Sequence, residues 1–371
     1  MQYPDRKKSI CLIVTHKCNL HCKYCFVLDR RDVSMPLEIA KNAILEAIKT
    51  DNDKFDFLEI MFMGGEPLCE FPLIKALSEW LPSVSNGKRY VLFAVTNGTL
   101  VSDDIKAWLS KNKDCVCLGL SYDGDIIAQD LNRNESKEKI DLPFFIKTWP
   151  DQPLKMTISE ETVSHLSDNV VALHNMGATV TANCACGCKD WSASTWARYG
   201  KELSKLVRFY IENPNVKPIN LIADYNLLDV FNDNQEPRVC EAGRSFYAID
   251  VDGKEYPCHL FSPLAQLPEN TVDKIRIASI LQEEDNPCLS CILNGKCSHC
   301  IGMNYRLYGH FLWREKNVCM ANQFQFRACC KYHAERISRK SHFDEDDARI
   351  AATILKLSNS NFSLRKDDYN E

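Results

Sequence analysis

Across its first two hundred residues the chain alternates short apolar or β-branched runs with longer stretches of helical periodicity. The predicted strands cover residues 10–15, 57–62, 90–95, 115–121, 155–158 and 178–182. The predicted helices cover residues 36–49, 72–80, 103–110, 135–147 and 162–176. This alternation is typical of a parallel sheet wrapped by helices. Because about six strand-helix units are fewer than the eight of a closed barrel, we predict an open, partial (β/α)6 TIM barrel.

Polar and small residues follow four of the predicted strands. In parallel α/β folds the loops at the carboxyl ends of the strands build the active site, so we expect these residues to converge. Each of them, taken alone, also suits a tight turn. They are Cys18, the segment Gly64-Gly65-Glu66-Pro67, Asn97 and Ser121.

The character of the chain changes after residue 212. Residues 213–234 contain two prolines near their start and predict a connecting segment after a barrel of residues 1–212. Cysteines crowd residues 235–335, which predicts a second domain organised by metal more than by an apolar core. Residues 336–371 predict a C-terminal helix, docked through Ile350, Ile354 and Leu357, and a frayed tail.

Composition and charge narrow the class of protein. The 371 residues are 45% hydrophobic and 26% charged, and the formal net charge is −5. There is no overall positive charge to attract nucleic acid or an acidic membrane, so we expect neither partner. The polar start, Met1 to Ser9, lacks the pattern of a signal peptide, and we expect a cytoplasmic protein.

Cysteine usage is the most unusual feature of the composition. The chain has 19 cysteines, an odd number and several times ordinary usage for a chain of this size. In a reducing compartment, clustered cysteines are more plausible as metal ligands or catalytic groups than as disulfides. The sequence therefore predicts metal sites.

The first cluster places Cys18, Cys22 and Cys25 within eight residues, directly after an apolar strand. Three thiolates hold three irons of a cubane and leave the fourth iron for another ligand, whereas structural zinc normally takes four protein ligands. This Cys-x3-Cys-x2-Cys spacing, with an aromatic residue before its last cysteine, resembles the radical S-adenosylmethionine (radical SAM) enzymes. His16 and His21 flank the thiols and are interpreted as loop histidines, not ligands.

The resemblance implies a cofactor site. Cys18, Cys22 and Cys25 would ligate a [4Fe–4S] cluster whose open iron binds S-adenosylmethionine. The matching Gly-Gly-Glu-Pro segment would bind the methionine ammonium, where glycine allows close approach. That segment is Gly64, Gly65, Glu66 and Pro67. The resemblance also implies that Tyr24 contacts the adenine, that Asn97 and Ser121 contact the sugar or the methionine carboxylate, and that Arg133 contacts that carboxylate.

A second set of cysteines lies downstream. It comprises Cys240, Cys258 after a Gly-x4 spacing, Cys288, Cys291, Cys297, Cys300 and Cys319. Two Cys-x2-Cys pairs suit either zinc or iron–sulfur clusters, and spacing alone does not separate these. After a radical SAM domain, the order resembles the SPASM extension, which holds two auxiliary [4Fe–4S] clusters. The gap between Cys297 and Cys300 is one residue shorter than in that pattern.

The SPASM resemblance implies how these thiols divide. Cys288, Cys291, Cys297 and Cys319 would hold an outer cluster, and Cys240, Cys258 and Cys300 an inner one. The inner cluster then lacks a fourth thiolate, so either another cysteine completes it or one iron stays open to substrate. The candidates for completion are Cys184, Cys186, Cys188, Cys329 and Cys330. Cys11, Cys69, Cys115 and Cys117 are predicted to be small core residues.

The combined resemblance implies a peptide-modifying maturase with S-adenosylmethionine and three [4Fe–4S] clusters. Such an enzyme uses a 5′-deoxyadenosyl radical to remove hydrogen from a precursor peptide and forms an oxidative crosslink, either a thioether or a carbon–carbon bond. It needs a reducing electron donor such as flavodoxin or ferredoxin. His259, directly after the Gly-x4-Cys cysteine, is the candidate proton acceptor.

Two other interpretations of the protein's function stay open. Anaerobic sulfatase maturases, which oxidise a cysteine or serine to formylglycine, resemble the chain in length and layout. They carry aspartate where this chain has His259, with Asp250 and Asp252 close by in sequence. The third possibility is an electron-transfer or zinc-stabilised binding module without turnover, against which the thiol motif and the Gly-Gly-Glu-Pro segment argue together.

Overall fold

The computed structural model describes residues 7–50, 55–228, 230–231, 240–274, 288 and 291–359. Its contacts divide the chain into two compact units. The first unit comprises Met1–Met156, Gly177–Thr179 and Glu241–Glu284. The second unit comprises Thr157–Met176, Val180–Cys240 and Asp285–Glu371. Each unit therefore contains segments from more than one of the domains that we predicted from the sequence. The predicted domain boundaries stay a prediction.

The predicted alternation of strands and helices is confirmed, with boundaries shifted by a few residues. The strands are β1 Lys7–Thr15, β2 Phe57–Gly64, β3 Arg89–Thr96, β4 Val116–Leu120, β5 Leu154–Ile158 and β6 Val180–Cys184. The helices between and after them are α1 Leu37–Lys49, α2 Phe71–Trp80, α3 Asp103–Asn112, α4 Ile126–Arg133, α5 Leu142–Thr148, α6 Leu166–Asn175 and α7 Ala193–Glu212. The α/β class with a parallel sheet therefore holds.

One predicted helix is wrong. Residues 135–147 were expected to form a single helix, but only the short α5 is α-helical there, and α4 ends before the segment begins. Asn134 and Glu135 adopt positive φ angles of 53° and 50°, which ends α4 at Arg133. The Asp125 side chain caps the start of α4, and Asp141 caps α5 by accepting from the Phe144 amide at 3.1 Å.

The main sheet has six strands in the order β4-β3-β2-β1-β7-β8, where β7 is Phe246–Ile249 and β8 is Glu255–Tyr256. Strands β1 to β4 and β7 are parallel, whereas β8 is antiparallel to β7. An isolated parallel bridge joins Ser121 to Lys155 at the start of β5. The predicted cysteine-rich domain thus contributes a strand beside β1, which the sequence pattern did not indicate.

The second unit is built mainly from helices. Besides α7 it contains α8 Asn220–Ala223, α9 Ile301–Tyr308, α10 Lys316–Ser338 and α11 Glu345–Asn359. Its apolar core includes Tyr225, Leu293, Cys297, Phe326 and Ile337, and the expected organisation of the cysteine-rich region by metal stays a prediction. Helix α11 packs against this core through Ile350, Ile354 and Leu357, which confirms the predicted docking helix.

Helix length and hydropathy bear on membrane insertion. Among the residues that the structure describes, none of the helices combines the length and apolar character needed to cross a bilayer.

Candidate active site

The first cysteine loop is held by backbone bonds at the carboxyl end of β1. The Gly65 amide donates to the Thr15 carbonyl at 3.1 Å, and the Glu66 amide donates to the Lys17 carbonyl at 2.7 Å. A Cβ on Gly65 would stand 2.2 Å from the Lys17 oxygen and 2.8 Å from the Cys18 Cβ. Glycine is therefore required there, because any side chain would push the cysteine loop away.

The three thiols of this loop lie together and are half-buried. Burial raises the pKa of Cys18 to about 11, and the charges of Glu66, Cys22 and Cys25 add to the rise. The Leu20 amide donates to Cys18 Sγ at 3.4 Å, the kind of bond that tunes iron–sulfur clusters. Three soft sulfur donors in one accessible loop fit a cluster that keeps one iron open.

Glu66 ties the end of β2 to the end of β3. Its carboxylate is buried and accepts from Thr96 Oγ1 at 2.7 Å, the Asn97 amide at 2.8 Å and the Leu68 amide at 3.1 Å. Burial raises the pKa of Glu66, and these donors oppose the rise. A carboxylate has about four acceptor positions, so the three bonds leave room for one more donor. Its predicted contact with the methionine ammonium stays a prediction.

Asn97 connects the end of β3 to the cysteine loop. Its Nδ2 donates to Asn19 Oδ1 at 2.9 Å, and its Oδ1 accepts from the Thr99 amide at 2.9 Å. The Ser121 amide donates to the Thr96 carbonyl at 2.8 Å, which places Ser121 at the same edge of the sheet. The expected convergence of strand ends is confirmed, and the cofactor contacts of Asn97 and Ser121 stay predictions.

Tyr24 and Arg133 both contact Asp123, which the sequence analysis did not select. Tyr24 donates to Asp123 Oδ2 at 2.5 Å, while Arg133 Nε and Nη2 donate to the two carboxylate oxygens at 3.0 and 3.2 Å. The guanidinium lies 5.3 Å from the centre of the Tyr24 ring. Burial alone would lower the pKa of Arg133, but the Asp123 charge raises it. The available signal for Asp123 was its position just after β4.

His16 is more constrained than a loop histidine with a single hydrogen bond. The ring is fully buried, with Nε2 2.7 Å from Asp250 Oδ1 and Nδ1 3.0 Å from Asp29 Oδ2. Burial by itself would lower the pKa of His16, but the two carboxylates raise it overall. His16 thereby links the segment after β1 to the end of β7, a pairing that no local pattern in the sequence indicates.

His259 lies against the first cysteine loop. The centre of its ring is 5.6 Å from the centre of the Phe26 ring. The segments that carry these two residues are also joined by a backbone hydrogen bond, in which the Leu28 amide donates to the Leu264 carbonyl at 2.9 Å. Nδ1 of His259 has no hydrogen-bond partner within the described part of the chain. Burial lowers the pKa of His259 to about 4, so the imidazole is uncharged at neutral pH.

The four predicted outer ligands, Cys288, Cys291, Cys297 and Cys319, all belong to the second unit, and their role as ligands stays a prediction. Cys297 is buried, and its burial raises its pKa to about 12, with the charges of Cys319, Cys288 and Cys291 adding to the rise. Arg314 Nη1 donates to Cys297 Sγ at 3.0 Å. Four soft donors with one cationic donor suit a buried iron–sulfur cluster.

Two of the predicted inner ligands, Cys240 and Cys300, belong to the second unit. Burial raises the pKa of Cys300 to about 11, and the charge of Cys240 contributes. Cys258 belongs to the first unit, where it is 7% exposed. Among the described residues, no group of three or more His, Cys, Asp or Glu converges on a single metal ion. A [4Fe–4S] cubane does not require ligands that converge on one ion, because each of its thiolate ligands binds a different iron.

Comparison with known families identifies the region that contains the first cysteine loop. Residues 12–141 match the model of the radical SAM superfamily. This segment is a radical SAM domain. The resemblance inferred from the cysteine motif is thereby confirmed, and the family implies S-adenosylmethionine and a [4Fe–4S] cluster. The radical SAM domain contains the first cysteine loop and every predicted cofactor-binding residue.

Three curated relatives extend the comparison. A Methanocaldococcus jannaschii protein is 33% identical over 120 residues, which are 32% of this chain and 40% of that protein. The radical SAM cyclopropyl synthase TigE of Paramaledivibacter caminithermalis is 22% identical over 381 residues, covering 85% of this chain and 72% of the synthase. A cysteine-type anaerobic sulfatase-maturating enzyme of Clostridium perfringens is 34% identical over 126 residues, which are 32% of this chain and 33% of that enzyme. The chain thus spans less than half of two of these relatives.

Two solved structures share the fold. The enzyme anSMEcpe with bound AdoMet superposes with a TM-score of 0.67 at 16% identity, covering 94% of this chain and 98% of that one. Streptococcus suis SuiB bound to its precursor peptide SuiA gives 0.53 at 16% identity, covering 84% and 76%. The likeness therefore extends well beyond the radical SAM domain.

Proposed function

We propose that this protein is a radical SAM maturase that forms an oxidative crosslink, a thioether or a carbon–carbon bond, in a ribosomally synthesised peptide. The observation that carries the proposal is the three-thiol loop held against the Gly-Gly-Glu-Pro backbone where the parallel strands end. The precursor peptide bound by SuiB supports a peptide substrate, and the cyclopropyl synthase activity named for TigE supports carbon–carbon bond formation.

The chain's own residues would bind and orient the cofactor. Cys18, Cys22 and Cys25 hold a [4Fe–4S] cluster, and the Gly65–Glu66 edge receives the methionine ammonium. Tyr24 is fixed by its bond to Asp123, so its ring is ready to flank the adenine. When bound, cluster and S-adenosylmethionine supply a 5′-deoxyadenosyl radical, which removes hydrogen from an unactivated carbon.

Forming the crosslink removes two hydrogen atoms from the peptide, so the site must also dispose of a proton and an electron. His259 is our candidate for the proton, since its uncharged ring has a lone pair available at neutral pH. The second set of cysteines, which we assign to a SPASM-type pair of auxiliary [4Fe–4S] clusters, is our candidate electron acceptor. Flavodoxin or ferredoxin would supply the electron that starts each turnover.

The test is anaerobic reconstitution with iron, sulfide, dithionite and S-adenosylmethionine, followed by incubation with a candidate precursor peptide sought in the reading frames next to this gene. We expect 5′-deoxyadenosine and a peptide lighter by two hydrogen atoms per crosslink. A Cys115→Ala variant is the matched control, because Cys115 is half-buried and its Sγ donates to the nearby Asn112 carbonyl at 3.4 Å. Absence of 5′-deoxyadenosine would favour a non-catalytic binding module.

A second candidate function is conversion of cysteine or serine to formylglycine. It is favoured by the 34% identity to the Clostridium sulfatase-maturating enzyme and by the superposition on anSMEcpe. His259 in place of the expected aspartate argues against it. Incubation with a cysteine-containing sulfatase peptide, with an aldehyde-trapping hydrazide present, decides between them: we expect no trapped aldehyde.

A further inference from the structure

Helix α4 exposes large apolar side chains to solvent. Ile126 and Ile127 are each 50% exposed and Leu131 is 41% exposed, in a helix of only eight residues. Ile127 and Leu131 are four positions apart, so they lie on one face of the helix. Single exposed apolar residues are normal on a protein surface, but a contiguous group of them marks an interaction site.

The other side of α4 is held firmly within the first unit. Ala128, Gln129 and Asn132 are buried. Gln129 Oε1 accepts from the Asp123 amide at 2.7 Å, and Gln129 Nε2 donates to Ser136 Oγ at 2.9 Å. The exposed apolar side chains therefore stand on a helix whose position is fixed, as a preformed docking surface requires.

The end of α4 is joined to the first cysteine loop. The His21 amide donates to Asn134 Oδ1 at 3.1 Å, and the Lys23 amide donates to the Asn132 carbonyl at 3.0 Å. Cys22, one of the three predicted cluster ligands, lies between these two bonded loop residues. The apolar face begins one residue before Asn132, so standard chain dimensions put it within about 10 Å of Cys22.

The cysteine loop also carries positive charge, unlike the chain as a whole. Residues 17–28 contain two lysines and no aspartate or glutamate, while the formal net charge of the chain is −5. Lys17 is paired with Asp32 at 2.7 Å. Lys23 is exposed, and its ammonium forms no ion pair or hydrogen bond with the described part of the chain. An exposed lysine next to an apolar face suits a partner with negative charge.

The proposed function requires such a partner, because each cleavage of S-adenosylmethionine consumes one electron from outside. Carriers of the flavodoxin class are small acidic proteins, and electron transfer between proteins falls steeply with distance. Electron-transfer complexes bury little surface, below about 1,200 Å², so a few apolar side chains and a lysine suffice. A carrier docked on α4 has its redox group beside the first cysteine loop.

We propose that the exposed face of α4, formed by Ile126, Ile127 and Leu131, is together with Lys23 the docking surface for an acidic one-electron carrier of the flavodoxin class. The inference rests on the proposed function, which supplies the cluster to be reduced. The carrier's flavin hydroquinone gives up one electron and becomes a semiquinone, and the cluster at the first loop takes up that electron.

The test compares a protein reductant with a small one. Full-length, reconstituted Leu131→Glu and Ile127→Glu are assayed for 5′-deoxyadenosine with limiting reduced bacterial flavodoxin and, separately, with dithionite. Binding of flavodoxin is measured independently by biolayer interferometry. We expect the affinity and the flavodoxin-driven rate to fall by about tenfold, since these side chains form the centre of the contact. The dithionite-driven rate should match that of wild type.

Two further variants sharpen the comparison. Leu355→Glu, the same change at an exposed position of α11, is the matched control and should match wild type in all three measurements. Lys23→Gln should weaken flavodoxin binding less than Leu131→Glu does, and it should reduce the dependence of that binding on salt, because it removes charge without changing the apolar face.

The outcomes separate this inference from the proposed function. Wild-type affinity for flavodoxin in Leu131→Glu and Ile127→Glu, or no binding by wild type, overturns the docking surface while dithionite-driven cleavage still supports the function. An equal loss of the dithionite-driven rate in these variants assigns the face to the cofactor site or the fold and also overturns the inference. Wild-type protein that forms no 5′-deoxyadenosine with dithionite overturns the proposed function, and the inference falls with it.

Discussion

The two regions that gather cysteines do so in different ways. In the first unit, three thiols come from eight consecutive residues, and backbone bonds to the segment after β2 hold them. In the second unit, Cys297 and the three thiols whose charges act on it come from residues 288–297 and from Cys319, and Cys291 and Cys297 adjoin an apolar core. The first region is a local motif on a rigid sheet edge, and the second exists only when the helical unit has folded.

This difference predicts different consequences of damage. Removing a thiol from a loop on a preformed sheet should abolish chemistry and leave the fold intact. Removing a thiol that adjoins the core should weaken the fold itself, because metal binding then contributes to folding free energy. The predictions below separate these two behaviours.

The largest effect is expected for Cys22→Ala. Without this thiolate the first cluster loses an iron ligand, so formation of 5′-deoxyadenosine should fall to background while the melting temperature stays near that of wild type. Chromatographic quantification of 5′-deoxyadenosine after reconstitution is the measurement, with Cys115→Ala as the control. A Cys22→Ala protein that still cleaves the cofactor would refute the ligand assignment.

Gly65→Ala should come next. Its new Cβ would meet the Lys17 carbonyl at 2.2 Å and displace the cysteine loop. Because misplacing a reacting group by about 1 Å costs on the order of a hundredfold, we expect a comparable loss in the rate of cofactor cleavage.

Gly87→Ala is the control for Gly65→Ala. Gly87 also has a positive φ, 76°, but its Cβ would meet nothing within 4 Å. It should carry backbone strain of about 1 kcal/mol and keep normal activity. Equal rates for the two variants would contradict the proposed role of the Gly65 backbone.

Cys297→Ala should mainly affect stability. We expect lower iron content and a melting temperature below that of Cys329→Ala. Cys329 is fully buried in the same apolar core, where truncation costs about 1 kcal/mol of packing. Differential scanning calorimetry of the reconstituted variants makes the comparison. Identical melting temperatures and iron contents would remove Cys297 from the ligand set.

The smallest effect concerns pH and His333 in α10. Burial and the Arg336 charge lower the pKa of His333 from 6.5 to about 4, although Asp347 opposes the shift. As the pH falls, His333 therefore takes up a proton in the unfolded chain before it does so in the folded protein. The free energy of unfolding decreases as the pH falls from about 6.5 toward about 4.

His333→Gln should remove that part of the pH dependence. Melting temperatures measured across this range for wild type and variant provide the check, and parallel curves would speak against a depressed pKa.

Much of the first region was predictable from the sequence, and the reason is local. Strand and helix periodicity, the cysteine spacing and the Gly-Gly-Glu-Pro segment all lie within short windows, and the order of parallel strands brings their ends together. The predicted helix over residues 135–147 was wrong at its start because Asn134 and Glu135 adopt positive φ angles, which non-glycine residues rarely do.

The unpredicted contacts join residues far apart in the chain. His16 meets Asp250 across 234 positions, and Gly187 meets Glu315 across 128. Neither contact is indicated by residue periodicity or by the spacing of a motif in the sequence. Asp123 could have been selected from the sequence, since it lies three residues after the end of β4 and two after Ser121, but its partner Arg133 was assigned to the cofactor instead.

The central claim is that the first cysteine loop holds a cluster whose unligated iron binds S-adenosylmethionine directly. EPR of dithionite-reduced, anaerobically reconstituted protein, recorded with and without S-adenosylmethionine, tests it most directly. We predict a clear change in the g-values of one cluster on addition of the cofactor, absent in Cys22→Ala. Spectra that coincide with and without the cofactor would contradict the claim.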